Sequence, residues 1–448
     1  MNILLVTVDS LRADRTSLFD HDRDTTPFLS SLAGRSFEFR RAYANGRNTA
    51  ASFPAIHTST HQRYYEGIGI PAEGTPTLAE ALSKEGYATH AIHTNELVAR
   101  DYNYDRGFGV YRDARSAGDD PDETSWRSRA RDLIGDGAFF EVVKRAHFLS
   151  TEHLGVKIFD TADAVSGFED RIVEWTTEAD DDWFVWAHYM NPHHPYEPPA
   201  DCQEALGLDP VPKREATKLS RKMRLHPDEV TADERETIRG LYDASVLSWD
   251  RELERTYEAL DDAGELDGTL VVVTADHGEL LGEEGRYGHP PVLNQELLRV
   301  PLLFHGPVER GMTDDQVDLL NVAPSVLSMA NCPIPDGYQG RALFGDQGQF
   351  VRPDAVPVLS ETGDTDSDLV CCIEGGRKVV YDVRGDAWNS FVLSANAFRE
   401  EPTDDPHDDL RRRIRDHIKQ ASERRERGAE VDEEALRGDL AALGYLDE

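Results

Sequence analysis

Two apolar runs in this chain each end in a carboxylate. Leu270-Val271-Val272-Val273-Thr274-Ala275 meets Asp276-His277-Gly278-Glu279, and Ile3-Leu4-Leu5-Val6-Thr7-Val8 meets Asp9. Buried strands that deliver an acid and an imidazole at their carboxyl ends can present metal ligands. Side by side, they gather Asp9, Asp276 and His277 at one sheet edge, where open α/β proteins bind ligands. Taken singly, Asp9 also reads as the cap of the next helix, and Asp276-His277 as a loop pair. Together they offer carboxylate oxygen and one imidazole nitrogen. That set suits one hard or borderline divalent cation, Ca²⁺ or Mg²⁺ first, with Mn²⁺ or Zn²⁺ as alternatives. A third segment, Asn48 to Thr60, carries Ser52 two residues before Pro54. Pro54 fits the first turn of a helix, which puts Ser52 at or just before its N-terminus. A hydroxyl there faces free N–H groups and the positive end of the dipole, lowering the cost of an alkoxide or a bound oxyanion. The plainer reading of Ser52 is an ordinary N-cap.

The elements that must position these residues alternate. Strand-like runs at Ile3 to Val8, Ala88 to Thr94, Trp183 to Tyr189, Leu270 to Ala275 and Val300 to Phe304 are separated by helical patterns. Such alternation predicts a doubly wound α/β fold with a mostly parallel sheet and helices on both faces. Helices are expected from Thr77 to Glu85, closed by Gly86, and from Ser248 to Ala263, closed by Gly264. Two polar excursions, about 113–178 and 199–239, read as insertions that could lid the site. From about Pro353 short strands follow one another at Leu369 to Ile373, Lys378 to Tyr381 and Ser390 to Leu393, ahead of a charged helical tail from Asp408 to Leu446. The expected division is a catalytic domain over 1–350 and a small antiparallel α+β subdomain over 351–448.

Composition limits the partners. Asp and Glu number 85 against 48 Lys and Arg, a net charge of −37, and only eight residues are lysine. The excess reads as a solvating surface of the kind adapted to high salt. It repels nucleic acid and anionic membranes. Any anionic substrate must then be held by local charge, a cation or backbone donors. Cys202, Cys332, Cys371 and Cys372 have no metal-ligand spacing. The N-terminal apolar run is too short for a signal core, and no stretch approaches the roughly 20 apolar residues of a membrane span. The expected location is the cytoplasm.

Taken together, these segments resemble the sulfatase family of the alkaline phosphatase superfamily. Its members begin with an apolar strand and a metal-binding Asp, place the nucleophile in a Cys-or-Ser-x-Pro-x-Arg signature, and return with an Asp-His-Gly strand end. Thr26-Pro27-Phe28-Leu29, Phe37 to Tyr43, Asn95, Arg106-Gly107-Phe108, His188 to Tyr196, Arg299 to Phe304 and Asn321 to Leu327 extend the resemblance over the chain apart from the two insertions. It implies an alkaline phosphatase-like fold, with Asp9, Asp276, His277 and the Ser52 oxygen on the metal. It also implies that His193 touches the transferred group or protonates the leaving oxygen, that His188 assists, and that His289 stands near the family's leaving-group Lys or His. Each histidine also has a plainer reading, as a satisfied core or loop residue.

Two departures redirect the expected chemistry. Ser10 stands where a second aspartate ligand is common, and Ile56 stands at the signature arginine. Without that arginine, Ser52 is expected to stay unmodified rather than become formylglycine. Ser52-Phe53-Pro54 also resembles the Thr-Phe-Pro segment of nucleotide pyrophosphatases and phosphodiesterases. The expected activity is therefore metal-dependent hydrolysis of a small anionic sulfate or phosphate ester, including a sulfated or phosphorylated glycan. The rivals are a transferase that passes a phosphoryl-linked headgroup to glycan or lipid, and an inactive glycan-binding relative.

Overall fold

In the computed structural model, residues 1–113, 167–353, 357–363 and 367–425 of the chain are described. Most of the insertion expected over 113–178, and the tail beyond 425, lie outside the described residues.

Uninterrupted apolar runs are stable as strands buried on both faces. Three of them, β1 (Ile3–Val8), β5 (Trp183–Tyr189) and β6 (Leu270–Ala275), are buried at every residue. They form the middle of a sheet that also contains β2 (Phe37–Tyr43), β3 (Ala88–His93), β4 (Val110–Arg112), β10 (Leu302–His305) and β11 (Gly311–Asp318). The strand order is β11-β2-β10-β6-β1-β5-β3-β4, with β9 (Arg299–Val300) paired to β2. Pairings are parallel from β6 through β4 and between β2 and β11, whereas β10 runs antiparallel to both β2 and β6. The single strand expected over Val300 to Phe304 is thus two, broken at Pro301, which has no N–H for a ladder.

Nine described helices belong to this part: α1 (Pro27–Ala33), α2 (Thr49–Thr58), α3 (Leu78–Lys84), α4 (Phe168–Glu178), α5 (Ala200–Ala205), α6 (Lys213–Leu225), α7 (Ala232–Asp262), α8 (Gln295–Leu298) and α9 (Val322–Met329). Thr77 and Glu80 form a capping box at α3. The same device, Thr231 with Glu234, starts α7 at Ala232 rather than at Ser248. The polar stretch up to residue 239 therefore ends inside a long helix whose buried side carries Ile238, Leu241 and Tyr242. Two short strands, β7 (Leu280–Leu281) and β8 (Tyr287–Gly288), make a hairpin after β6.

A separate antiparallel sheet follows, built in order from β12 (Val358–Glu361), β13 (Leu369–Glu374), β14 (Arg377–Asp382), β15 (Ala387–Leu393) and β16 (Glu400–Pro402). Helix α10 (Asp408–Arg424) covers it, with Leu410 and Ile414 packed on Val370, Cys372 and Val379. All four cysteines are buried and free. No described helix is long and apolar enough to cross a membrane.

Candidate active site

Sheet register sets the centre of the site. Val8 of β1 pairs with Tyr189 on one side and Ala275 on the other, so the next residues, Asp9 and Asp276, leave adjacent strands at one level. Asp9, Asp276 and His277 are buried, and each brings a ligand atom within 4.8 Å of the others. His277 Nε2 lies 3.4 Å from Asp276 Oδ2 and 3.7 Å from Asp9 Oδ1. Its Nδ1 sits 2.8 Å from the Gly278 carbonyl, which places the ring proton there and turns Nε2 to the carboxylates. Gly278 is required at this turn, because a Cβ would lie 1.9 Å from the Glu296 carbonyl oxygen.

Charge in this cluster is unbalanced. Burial alone would raise the Asp9 carboxyl, yet His193, His188 and His277 around it hold it well below the usual carboxylate range. Burial and then the Asp9 charge push Asp276 well above that range. Burial lowers His277, against the pull of Asp9. Two fully buried carboxylates with a neutral imidazole suit a divalent cation, whose charge would let both ionise. Ser10 supports the pair: its hydroxyl donates to Asp9 Oδ1 at 2.8 Å and its N–H to Asp276 Oδ1 at 3.2 Å. Reaching both requires a left-handed backbone, φ 62°, in a residue with a side chain, a strain that costs about 1 kcal/mol or more.

The hydroxyl at this cluster belongs to Thr49. Its Oγ1 lies 3.0 Å from Asp276 Oδ2, and 3.4 Å from both Asp9 Oδ2 and His277 Nε2. Asn48 caps α2, accepting from the Ala51 N–H, so the helix starts at Thr49 and Pro54 falls inside it. Ser52 is one turn further on, buried, and its hydroxyl donates to the Gly46 carbonyl at 3.0 Å. The expectation that the Ser52 oxygen completes the coordination is therefore corrected. The physical reason is the cap: Pro54 alone suggested a helix start three residues late. The sequence signal was Asn48 followed by Thr49, an N-cap pair at the head of a small-residue run.

Histidines surround the centre. His188 on β5 lies beside Thr7 in the register, with Nδ1 3.0 Å from Thr7 Oγ1 and Nε2 3.6 Å from Asp9 Oδ2. His193, His194 and His289 form a second buried group whose ligand atoms also lie within 4.8 Å of one another. His193 Nδ1 is 2.6 Å from the His194 carbonyl oxygen, and its Nε2 has no partner. Burial pulls His193 down to about 4 despite Asp9, and His289 to about 3 despite Glu279, so both rings are neutral at pH 7. Glu279, held low by His194 and His289 against its burial, accepts from His289 at 3.3 Å. Rings of His277 and His289 are 5.1 Å apart, which joins the two groups into one site.

Sequence reasoning missed Arg47 and gave no site role to Asn95 or Glu279. Asn95 Nδ2 donates to Asp9 Oδ2 at 2.7 Å, Arg47 donates to the His289 carbonyl, and Glu279 orients His289. Glu279 follows His277 by two residues and was legible in the motif, and Asn95 stands in a segment of the resemblance; Arg47 has no pattern of its own.

The fold is alkaline phosphatase-like, with the carboxylate and imidazole cluster at the edge of its sheet. The family profile for sulfatases matches residues 1–332, and the chain belongs to the sulfatase family. Among curated relatives, the arylsulfatase of Clostridium perfringens is 22% identical over 382 residues, covering 76% of this chain and 77% of the relative. The choline-sulfatase of Rhizobium meliloti is 24% identical over 421 residues, 85% of this chain and 78% of the relative. The solved phosphonate monoester hydrolase of Silicibacter pomeroyi superposes with a TM-score of 0.65 at 19% identity, over 94% of this chain and 95% of that one. The chain is thus a sulfatase-like hydrolase of sulfuric or phosphoric esters.

Proposed function

We propose that the preferred substrates are phosphate esters and that Thr49 is the nucleophile, with Asp9, Asp276 and His277 holding one Ca²⁺ or Mg²⁺ beside it. The observation that carries the reading is the Thr49 hydroxyl, 3.0 Å from Asp276 Oδ2 at the head of α2. When bound, the cation would neutralise charge on the transferred group and favour the ionised hydroxyl.

Everything else falls to the chain. Thr49 loses its proton along its hydrogen bond to Asp276 and attacks phosphorus, and the bond to the departing alcohol breaks opposite. The positive end of the α2 dipole lies toward the oxygens of the group in flight. His193 Nε2, which has no protein partner, takes up a proton from solvent once the anionic ester is bound beside it and passes it to the leaving oxygen, with His289, oriented by Glu279, beside it. Water then attacks the threonyl ester and restores the hydroxyl. His188 positions Asp9 rather than touching substrate.

Threonine itself weighs against the usual sulfatase route. Formylglycine needs a primary carbinol or thiol carbon that oxidises to an aldehyde; the secondary carbinol of Thr49 would give a ketone. A threonyl sulfate has no geminal hydroxyl to expel sulfate, whereas a threonyl phosphate is cleaved by in-line attack of water. Membership of the family, with relatives named arylsulfatase and choline-sulfatase, supports the second reading, a sulfate ester hydrolysed at sulfur. Those two names differ in their alcohol, a phenol against a quaternary amine, so the alcohol group is not carried over.

The test is a panel of p-nitrophenyl phosphate, bis(p-nitrophenyl) phosphate and p-nitrophenyl sulfate in high salt with each of Ca²⁺, Mg²⁺, Mn²⁺ and Zn²⁺. Phosphoryl esters should turn over at least a hundredfold faster than the sulfate. A preference for the sulfate would reject the phosphoryl assignment and leave the second reading.

A further inference from the structure

Helix α6 is a local reversal of charge. In a chain of net charge −37 with eight lysines, the 13 residues Lys213–Leu225 hold three of those lysines and three arginines against the single acid Glu215. The buried side of the helix is Ala216, Ser220 and Met223. Its outer side repeats cations at helical spacing: Arg214, Lys218 and Lys222 follow one another at i,i+4. Like charges at that spacing destabilise a helix, so the row works against folding unless anions answer it. Some do: Lys222 pairs with Glu234 at 2.7 Å, and Lys213 with Glu197 at 3.5 Å. Arg214 and Lys218 are exposed and have no acidic partner among the described residues. They line a groove of about 460 Å³ together with Leu219 and Lys222, and Glu215 and Glu234 stand in its wall as well.

The helix is also tied to the site. Ser220 Oγ accepts from the N–H of Tyr196, three residues after His193, at 3.3 Å. The helix also meets β8, which runs directly into His289. The two segments that carry the candidate proton donors are thus braced by the most basic helix described.

We propose that the groove on α6 is an anion subsite, which receives a second anionic group of a polyanionic ester, a chain bearing several sulfate or phosphate groups. The inference rests on the ester-hydrolase reading of the site and adds its substrate class. It also answers a difficulty set by composition, because the long-range field of this protein repels anions and only a local patch of opposite sign can hold one. Arg214 and Lys218 supply that patch, whereas Lys222 is held by Glu234.

The experiment uses the full chain and two probes, dextran sulfate and inorganic polyphosphate, each fluorescently labelled and followed by anisotropy at low and high salt. The variant Arg214→Glu/Lys218→Glu is compared with Arg412→Glu/Lys419→Glu on α10, which makes the same change in net charge on exposed cations elsewhere. The α6 variant should raise the Kd of the better-bound probe at least tenfold and the α10 variant less than twofold, with the Tm of both close to that of wild type. Equal weakening in both variants, or none in either, overturns the subsite. Because anisotropy does not need turnover, a protein that cleaves no ester but binds polyanion through α6 would end the hydrolase reading and keep the subsite. One that cleaves esters yet binds polyanion equally in the α6 variant does the reverse.

Discussion

Replacing Thr49 and Ser52 in turn separates the two hydroxyls that share the first turns of α2. Thr49 Oγ1 lies within 3.0 to 3.4 Å of both carboxylates and of His277, so Thr49→Ala removes the attacking oxygen and leaves the rest of the centre in place. The expected loss in kcat/KM is about 10⁴-fold or more, equivalent to about 5.5 kcal/mol of transition-state stabilisation. Ser52 makes one hydrogen bond, to the Gly46 carbonyl at 3.0 Å. Ser52→Ala should therefore cost about 1 kcal/mol of stability, seen as a Tm lowered by about 1 °C, with kcat/KM within about threefold of wild type. Thr49→Ser keeps the oxygen and should retain activity within about tenfold. The assay is initial-rate hydrolysis of the best aryl ester from the panel, with Tm and Ca²⁺ affinity of each variant as controls. An inactive Ser52→Ala of normal Tm beside an active Thr49→Ala would refute the placement of the nucleophile.

Three further outcomes follow from the same geometry. Removing divalent ions with a chelator should abolish turnover and lower Tm, and Ca²⁺ or Mg²⁺ at about 100 times its Kd should return about 2.7 kcal/mol of stability; a Tm indifferent to the metal would reject the Asp9, Asp276 and His277 site. Gly278→Ala forces a Cβ to within 1.9 Å of the Glu296 carbonyl oxygen and must displace His277, so a loss of about 3 kcal/mol and of metal affinity is expected in calorimetry. Far from the centre, burial raises the Asp250 carboxyl to about 7, although the N–H groups of Phe28 and Leu29 donate to it. Its folded value exceeds its unfolded one, so the folded chain keeps the proton longer and stability falls as pH rises, by about 1.4 kcal/mol per unit across the window between the two values. Asp250→Asn should flatten Tm between pH 5 and 7, and an unchanged slope there would contradict the assignment.

Local pattern alone determined a good part of this protein. Apolar runs such as Ile3 to Val8 and Leu270 to Ala275 have no stable place outside a buried sheet, and their terminal carboxylates cannot be buried without a charge to answer them, so β1, β6 and a polar centre at their tips follow from residue type. Capping chemistry was legible at Thr77 with Glu80 and overlooked at Thr231 with Glu234, where a polar stretch concealed the start of α7. Pro54 misled for a related reason. It marks a helix but not its first residue, and Asn48 took that role, which turned Ser52 inward and Thr49 toward the acids. Tertiary structure decided what no spacing encodes: the register that levels Asp9 with Asp276, the approach of Asn95 to Asp9 across 86 positions, and the antiparallel entry of β10 into a parallel sheet. Those pairings join residues distant in the chain, and their free energy exists only once the sheet has closed around them.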